Sequence, residues 1–178
     1  GARGIVRAST VDNGHLAVRL ENGEILAGQH QFTGKETDPI SSPIDGMWIC
    51  SGVDDPWPRP VHGSSLAINL VNNADMIVYP MGSFYSSMLA AISPQGLGQA
   101  ISTNPCPKVF IPNMGFDPEL IGHNINLQVE RLLEVLRMDN SAYIGSEAVL
   151  NYILIDSENG TYQEKPDLAA LEKFPLKV

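Results

Sequence analysis

The residues best suited to chemistry lie in one short segment, where the apolar run ending at Tyr79 is followed by Pro80, Met81 and a cluster of small polar residues. The run predicts a buried strand, and the residues that follow predict the start of a helix. Amides in the first turn of a helix point outward and favour anions, and a glycine lets a ligand approach the main chain. The segment therefore predicts a phosphate- or nucleotide-binding turn with the candidate residues Gly82, Ser83, Phe84, Ser86 and Ser87.

A second interpretation of the same segment stays open, because glycine and serine also form tight turns and cap helices without binding anything. The segment has no Gly-Lys-Ser/Thr sequence, so it is not a Walker loop, and it lacks the Gly-x-Ser-x-Gly pattern of a hydrolase elbow. No side chain in it is predicted as a catalytic nucleophile. The catalytic residues remain unassigned at this stage.

Two further polar residues follow the apolar run 108–112, which predicts another buried strand. Ligands of parallel sheets bind beyond the carboxyl ends of the strands, so Asn113 and Asp117 are candidates for contacts with a base or a sugar. Asp117 has an equally good interpretation as a helix cap. Asp54 and Asp55 could coordinate Mg²⁺ together with substrate phosphates, although adjacent acids in a proline-rich loop are more often solvated turn residues.

The histidines show no metal-ligand spacing. His15 lies in a predicted strand, whereas His30, His62 and His123 lie in loops or at a helix entry, where an imidazole could meet a phosphate. We therefore keep His30 and His123 as candidate substrate contacts.

The pattern of apolar residues that predicts the secondary structure around these side chains changes along the chain, from alternation in strands to a succession of helices and strands. Residues 15–29 alternate around Asn22-Gly23 and predict a β-hairpin. Strands are predicted at about 47–51, 76–80, 108–112 and 152–155, with an extended loop at 54–60. Helices are predicted over about 64–74, 83–92 and 96–102, and the longest helix is predicted to be capped by Asp117. Alternating strands and helices predict an α/β fold, a Rossmann-like three-layer arrangement with a mostly parallel sheet.

Composition excludes several classes of protein. The chain has 178 residues, about one domain, and 43% of them are hydrophobic. Eleven basic against twenty acidic residues give a net charge of −9, the wrong sign for a protein whose main partner is nucleic acid. The apolar runs are too short to cross a bilayer. Two cysteines without a Cys-x-x-Cys motif favour a reducing compartment, so a cytoplasmic location is predicted.

One stretch carries a family resemblance. Residues 74–89 read Ala-Asp-Met-Ile-Val-Tyr-Pro-Met-Gly-Ser-Phe-Tyr-Ser-Ser-Met-Leu and resemble a segment of the 2-phospho-L-lactate transferase (CofD-like) family, which includes a gluconeogenesis-factor (YvcK) branch. Gly4 to Thr10, the hairpin from Leu16 to Gly28, and Val109 to Met114 match other family landmarks in the same order. The first glycine of the family's Gly-Pro-Gly-Ser turn is replaced here, since Pro80-Met81-Gly82-Ser83 stands in its place.

The resemblance implies a transferase that moves a phospho-lactyl-type group from a nucleoside-diphosphate-activated donor to an acceptor hydroxyl, with Mg²⁺. It implies that Gly82, Ser83 and Ser86 hold a phosphate and that Asn113 contacts the nucleotide or the acceptor, and it adds Thr10 as a candidate substrate contact. The alternative function is a non-catalytic regulatory protein that binds a nucleotide or a nucleotide-sugar.

The same resemblance places this chain in the carboxyl-terminal part of the family domain. Residues 1–156 are then predicted to be a partial domain, and residues 157–178 a charged tail. The expected partners are a nucleotide or a nucleotide-activated small molecule, the missing amino-terminal half and a second copy in a homo-oligomer, with neither nucleic acid nor a membrane.

Overall fold

The computed structural model describes residues 3–138, 144–174 and 177. Its first part is a four-stranded antiparallel sheet in the order β2-β1-β3-β4. The strands are β1 (His15–Leu20), β2 (Ile25–Ala27), β3 (Ile44–Gly52) and β4 (Asp55–Pro58). β1 and β2 form the predicted hairpin, and Gly23 between them has a positive φ of 90° that glycine adopts at low cost. The hairpin prediction is confirmed.

The strand predicted at 47–51 exists within β3, but its place in a parallel sheet was wrong. β3 pairs antiparallel with β1, with Trp48 opposite Ala17 and Cys50 opposite His15. Parallel neighbours need a crossover connection, usually a helix. The connection from β2 to β3 contains only a 3₁₀ turn, Gln29–Gln31, and it carries β3 to the free side of β1, where β3 runs antiparallel to β1. Part of the predicted loop 54–60 is the edge strand β4, a position where prolines are tolerated.

The second sheet is parallel and has the order β5-β6-β7. It consists of β5 (Ile77–Tyr79), β6 (Lys108–Phe110) and β7 (Tyr152–Ile153). Helix α1 (Ser65–Asn72) precedes β5 in the chain, and α2 (Ala90–Ile92) and α3 (Leu97–Thr103) lie between β5 and β6. Helix α2 continues a π-helical stretch, Phe84–Leu89. We call residues 84–92 the π–α helix. The mixed α/β class is confirmed, with one parallel and one antiparallel sheet.

The longest helix, α4 (Ile125–Arg137), begins later than predicted. Asp117 caps only a 3₁₀ turn, Pro118–Leu120, and the cap of α4 is Asn124, whose side chain accepts from the amide of Leu127 at 2.9 Å. Gly122 separates the two with a φ of 73°, a left-handed conformation that cannot continue a right-handed helix. α4 therefore starts at the next capping residue.

One hydrophobic core joins both sheets to the helices. It includes Val18 and Ile44 of the antiparallel sheet, Phe110 of the parallel sheet and Leu132 of α4. Short helices α5 (Ser146–Val149) and α6 (Leu168–Leu171) complete the described elements, and Leu171 of the predicted tail is buried in the same core. In the described ranges, no helix is both long enough and apolar enough to cross a membrane.

Candidate functional site

The turn after β5 and the loop after β6 meet, because neighbouring parallel strands end at the same edge of the sheet. The side chain of Asn113 accepts from the amide of Gly82 at 2.8 Å and donates to the Gly82 carbonyl at 2.7 Å. A Cβ atom added to Gly82 would meet no atom within 4 Å, so there is open space beside this residue even though its amide and carbonyl are bonded to Asn113. Gly82 and Asn113, two predicted site residues, are thus brought together.

The amides at the start of the π–α helix bind carboxylates of the chain itself. Phe84 N donates to Asp117 at 3.0 Å, and the amides of Tyr85 and Ser86 donate to one oxygen of Glu119 at 2.7 and 2.9 Å. The hydroxyl of Ser86 donates to the other oxygen of Glu119. Asp117 is 4% exposed and Glu119 is 1% exposed. These two carboxylates occupy the position at which the sequence predicted a bound phosphate.

Glu119 is the principal site residue that sequence reasoning missed. Burial raises the pKa of its carboxyl group, while the hydrogen bonds from Ser86 and Tyr85 act in the opposite direction. The carboxyl group of Glu119 thus accepts two N–H donors and one O–H donor in a buried site that the fold prepares for it. The donors lie 33 and 34 residues earlier in the chain, so no local sequence signal relates them to Glu119.

The π–α helix has a cavity on either side, and each cavity is lined by two of the predicted residues. Ser86 and Thr10 line a cavity of 340 Å³ on the side of the antiparallel sheet, whereas Gly82 and Ser87 line a cavity of 270 Å³ beside β5. The amide of Met88 reaches back five residues to the carbonyl of Ser83 at 3.1 Å, which is the wide turn of a π-helix. Such turns are frequent at functional sites because they redirect side chains.

The larger of these two cavities, on the side of the antiparallel sheet, has a mixed lining of polar and apolar groups. Thr10, Asp12, His15, Gln29 and Ser86 supply its polar side chains. Asp12 accepts the backbone amide of His62 at 2.9 Å, and this hydrogen bond lowers the pKa of the Asp12 carboxyl group. The cavity therefore offers an ionised carboxylate and several neutral hydrogen-bonding groups, a lining suited to a hydroxyl-bearing ligand.

The histidines lie in separate places. His123 is fully buried, and its Nδ1 lies 3.0 Å from the Ile121 carbonyl, which can only accept, so Nδ1 carries the proton. Its Nε2 then accepts from the hydroxyl of Tyr85 at 2.7 Å, and burial lowers the pKa of the imidazole. His30 lines another cavity, of 550 Å³, near Thr37 and Asp38. Thr10, His30 and His123, proposed from the sequence as substrate contacts, do not share a site.

The predicted Mg²⁺ stays a prediction, and the structure shows where the candidate acids of the described ranges lie. No group of three or more His, Cys, Asp or Glu residues there is placed to hold a metal ion. Asp54 lies in the exposed turn between β3 and β4, and the exposed Asp55 begins β4. The oxygens of Asp117 and Glu119 already accept hydrogen bonds, including the Asn113 amide at 3.2 Å from Asp117. We therefore derive no reaction step through a metal.

Two curated proteins resemble this chain in sequence. The chain is 21% identical to a Thermotoga maritima protein named "Putative gluconeogenesis factor", over 97% of this chain and 46% of the relative. It is 24% identical to a protein of the same name from Clostridium acetobutylicum, over 96% of this chain and 34% of the relative. The chain thus spans less than half the length of these curated relatives.

Two crystal structures resemble this chain in fold. A crystal structure of a UPF0052 family protein from Bacillus halodurans matches with a TM-score of 0.65 at 18% identity, over 84% of this chain and 42% of that chain. A second crystal structure from the same organism matches with a TM-score of 0.66 at 14% identity, over 96% and 52% of the two chains. The sequence profile of the 2-phospho-L-lactate transferase CofD family matches residues 1–176, and this chain belongs to the CofD family.

Proposed function

We propose that this protein is a CofD-type transferase that moves a phospho-lactyl-type group from a nucleoside-diphosphate-activated donor to an acceptor hydroxyl. The observation that carries the proposal is the family match over residues 1–176. The activity is proposed for the native protein as a whole, because the matched relatives are more than twice as long as the segment they share with this chain.

The proposed transfer is a substitution at phosphorus with no redox change. The acceptor oxygen attacks the phosphorus that bears the lactyl group, and a new phosphorus–oxygen bond forms. The bond between that phosphorus and the bridging oxygen of the nucleotide breaks, so a nucleoside monophosphate leaves, and the hydroxyl proton passes to solvent. Such transfers depend mainly on positioning and charge stabilisation.

The lining of the 340 Å³ cavity supports its assignment to the acceptor. Its neutral polar groups, from Thr10, Gln29 and Ser86, suit a hydroxyl-bearing molecule, and the ionised Asp12 would repel a polyphosphate. We assign the donor phosphates to the turn at Gly82 and Ser83, where there is open space beside Gly82. The serine hydroxyls of Ser83 and Ser87 are the donors we expect there, since the first amides of the helix already bind Asp117 and Glu119.

A second candidate function has its own support. The curated relatives are named for gluconeogenesis rather than for a transfer reaction. On this alternative, the same turn binds a nucleotide or a nucleotide-sugar, and the protein regulates without catalysis.

The test incubates the native protein with a nucleoside-diphosphate-activated phospho-lactyl donor, a deazaflavin acceptor and Mg²⁺, and it detects the phosphodiester product by mass spectrometry. Calorimetric titration with the nucleotides and nucleotide-sugars runs in parallel. Product formation supports the transferase, and binding without product supports the regulatory alternative. A protein that neither binds nor reacts contradicts both.

A matched pair of variants locates the site. Ser83→Ala with Ser87→Ala should weaken nucleotide binding, whereas Ser51→Ala, an exposed serine on β3, should not. Equal effects of the two changes would contradict the assignment of the donor phosphates to this turn.

A further inference from the structure

Ser86 connects the 340 Å³ cavity to a carboxylate that is itself shut off from solvent. Its side chain lines the cavity, and its hydroxyl donates to one oxygen of Glu119, which is 1% exposed. The other oxygen of Glu119 accepts the amides of Tyr85 and Ser86 at 2.7 and 2.9 Å. The carboxylate is therefore fixed, with one oxygen bonded to amides and the other to a hydroxyl group of the cavity wall.

This hydroxyl group can pass a proton on, whereas an amide cannot. A hydroxyl donates one hydrogen and accepts through two lone pairs, while a backbone amide only donates. Among the described residues, no hydrogen bond is donated to the oxygen of Ser86, so this oxygen can accept one from a molecule in the cavity. A proton that arrives at Ser86 from the cavity has a direct path to Glu119.

The neighbouring buried carboxylate, Asp117, has partners of a different kind. Its oxygens accept from N–H groups, namely the backbone amides of Phe84 and Glu119 and the side-chain amide of Asn113. In the ranges that the structure describes, no hydroxyl group bonds to Asp117. Of these two carboxylates, Glu119 is the one that has a hydroxyl link to the cavity.

The surroundings of Glu119 favour the uptake of a proton. Burial raises the pKa of its carboxyl group, and the negative charge of Asp117 acts in the same direction, against the hydrogen bonds from Ser86 and Tyr85. The ion pairs of the described residues do not include Glu119. A general base is most efficient when its pKa lies near the working pH, so a raised pKa makes this carboxylate a better base than an ordinary glutamate.

Two other titratable side chains, Asp12 and His15, line the same cavity. The backbone amide of His62 lowers the pKa of the Asp12 carboxyl group, which makes Asp12 a weaker base. His15 lies exposed at the start of β1. These two side chains are the competitors from which an experiment has to distinguish Glu119.

We propose that Glu119 receives the proton of the acceptor hydroxyl through Ser86, an inference that rests on the transfer reaction proposed above. As the acceptor oxygen bonds to phosphorus, its hydrogen passes to the oxygen of Ser86, and the hydroxyl hydrogen of Ser86 passes to Glu119. The bond from phosphorus to the nucleotide oxygen breaks, and a nucleoside monophosphate leaves. After product release the proton returns through Ser86 to solvent in the cavity. Nothing is oxidised or reduced.

The pH dependence of kcat/KM tests this relay in the native protein, with the donor, acceptor and Mg²⁺ of the transfer assay. The wild-type value should fall as pH decreases through the raised pKa of Glu119, because only the ionised carboxylate can take up the proton. Glu119→Gln can form the same hydrogen bonds but cannot accept a proton. It should lower kcat/KM at neutral pH by at least about 100-fold and abolish this acidic decline.

Two further variants separate the relay from a structural role. Ser86→Ala should lower kcat/KM about as much as Glu119→Gln, and the double variant should lose no more, because both changes interrupt one path. Asp117→Asn is the matched control, since it neutralises the other buried carboxylate. It should keep the acidic decline and move it to lower pH, because the charge of Asp117 raises the pKa of Glu119.

Infrared spectroscopy of the free protein gives a readout that does not depend on turnover. The protonated-carboxyl band that is absent from Glu119→Gln should titrate with the same midpoint as the acidic decline of kcat/KM, which reports the free enzyme. The relay is overturned if the two midpoints differ, if Glu119→Gln keeps the decline, or if Asp12→Asn or His15→Gln abolishes it. A wild-type protein that forms no product contradicts the transferase and the relay together, whereas equal activity of the wild type and Glu119→Gln contradicts the relay alone.

Discussion

Helices α1 and α4 begin in the same way and differ in what they bury. The side chain of Ser64 accepts from the amide of Ala67 at the start of α1, and that of Asn124 accepts from Leu127 at the start of α4. α4 buries eight of its thirteen residues, whereas α1 has no buried residue among its eight. A cap and apolar spacing are therefore enough to begin a helix, but a facing surface decides how much of its apolar stripe is buried.

The largest expected effect tests this difference directly. Leu132→Ala in α4 removes a fully buried side chain and should lower the free energy of unfolding by about 2–5 kcal/mol. Leu66→Ala in α1 removes a half-exposed side chain and should change it by no more than about 0.5 kcal/mol. The measurement is urea denaturation, in which each variant should have the same m-value as the wild-type protein. Similar losses for the two variants would show that α1 is packed as closely as α4.

The next largest effect concerns Glu119, which lies in the 3₁₀ turn before α4. Glu119→Ala leaves the buried amide of Tyr85 and the part-buried amide of Ser86 without this acceptor and should cost about 1–3 kcal/mol. Glu119→Gln should cost less, because its carbonyl oxygen can accept both amides and its NH₂ group can donate to the Ser86 hydroxyl. Equal losses in chemical denaturation would mean that the charge, rather than the hydrogen bonds, stabilises this turn.

The same residue predicts a pH dependence. Burial raises the pKa of Glu119 in the folded protein, so the folded state holds this proton more tightly than the unfolded state. The contribution of Glu119 to stability is then fully present below about pH 4, the ordinary range of a glutamate, and is lost as pH rises through its raised folded value. Glu119→Gln should remove this slope from a plot of unfolding free energy against pH. A wild-type curve parallel to the variant's would contradict the raised pKa.

The smallest expected effect compares the two caps. Asn124→Ala should cost about 1 kcal/mol of global stability, because α4 is part of the core. Ser64→Ala should cost less globally and should instead speed hydrogen exchange of the α1 amides, since a helix with few buried contacts opens locally. Exchange measured by mass spectrometry distinguishes the two cases. Unchanged exchange in α1 would show that it unfolds only with the whole molecule.

Local patterns in the sequence predicted most of the elements. The Asn22-Gly23 turn identified the hairpin, and short apolar runs identified β5, β6 and β7. The stretch at residues 74–89 identified the CofD family, which the match over residues 1–176 confirms. These features depend on neighbouring residues, so they can be read without knowing the fold.

Contacts between distant residues decided the rest. The sequence placed residues 47–51 in a parallel sheet and started the long helix at Asp117, because apolar runs do not reveal which strand is a neighbour and a capping residue does not reveal which turn it caps. β3 pairs antiparallel with β1, and the left-handed conformation of Gly122 delays the start of α4. Glu119 accepts hydrogen bonds from the amides that were predicted to bind phosphate. These amides lie 33 and 34 residues earlier in the chain, so only the tertiary structure brings them to Glu119. The sequence alone determined the family and most of the elements, whereas the tertiary structure decided which carboxylate occupies the predicted anion site, because that depends on long-range packing.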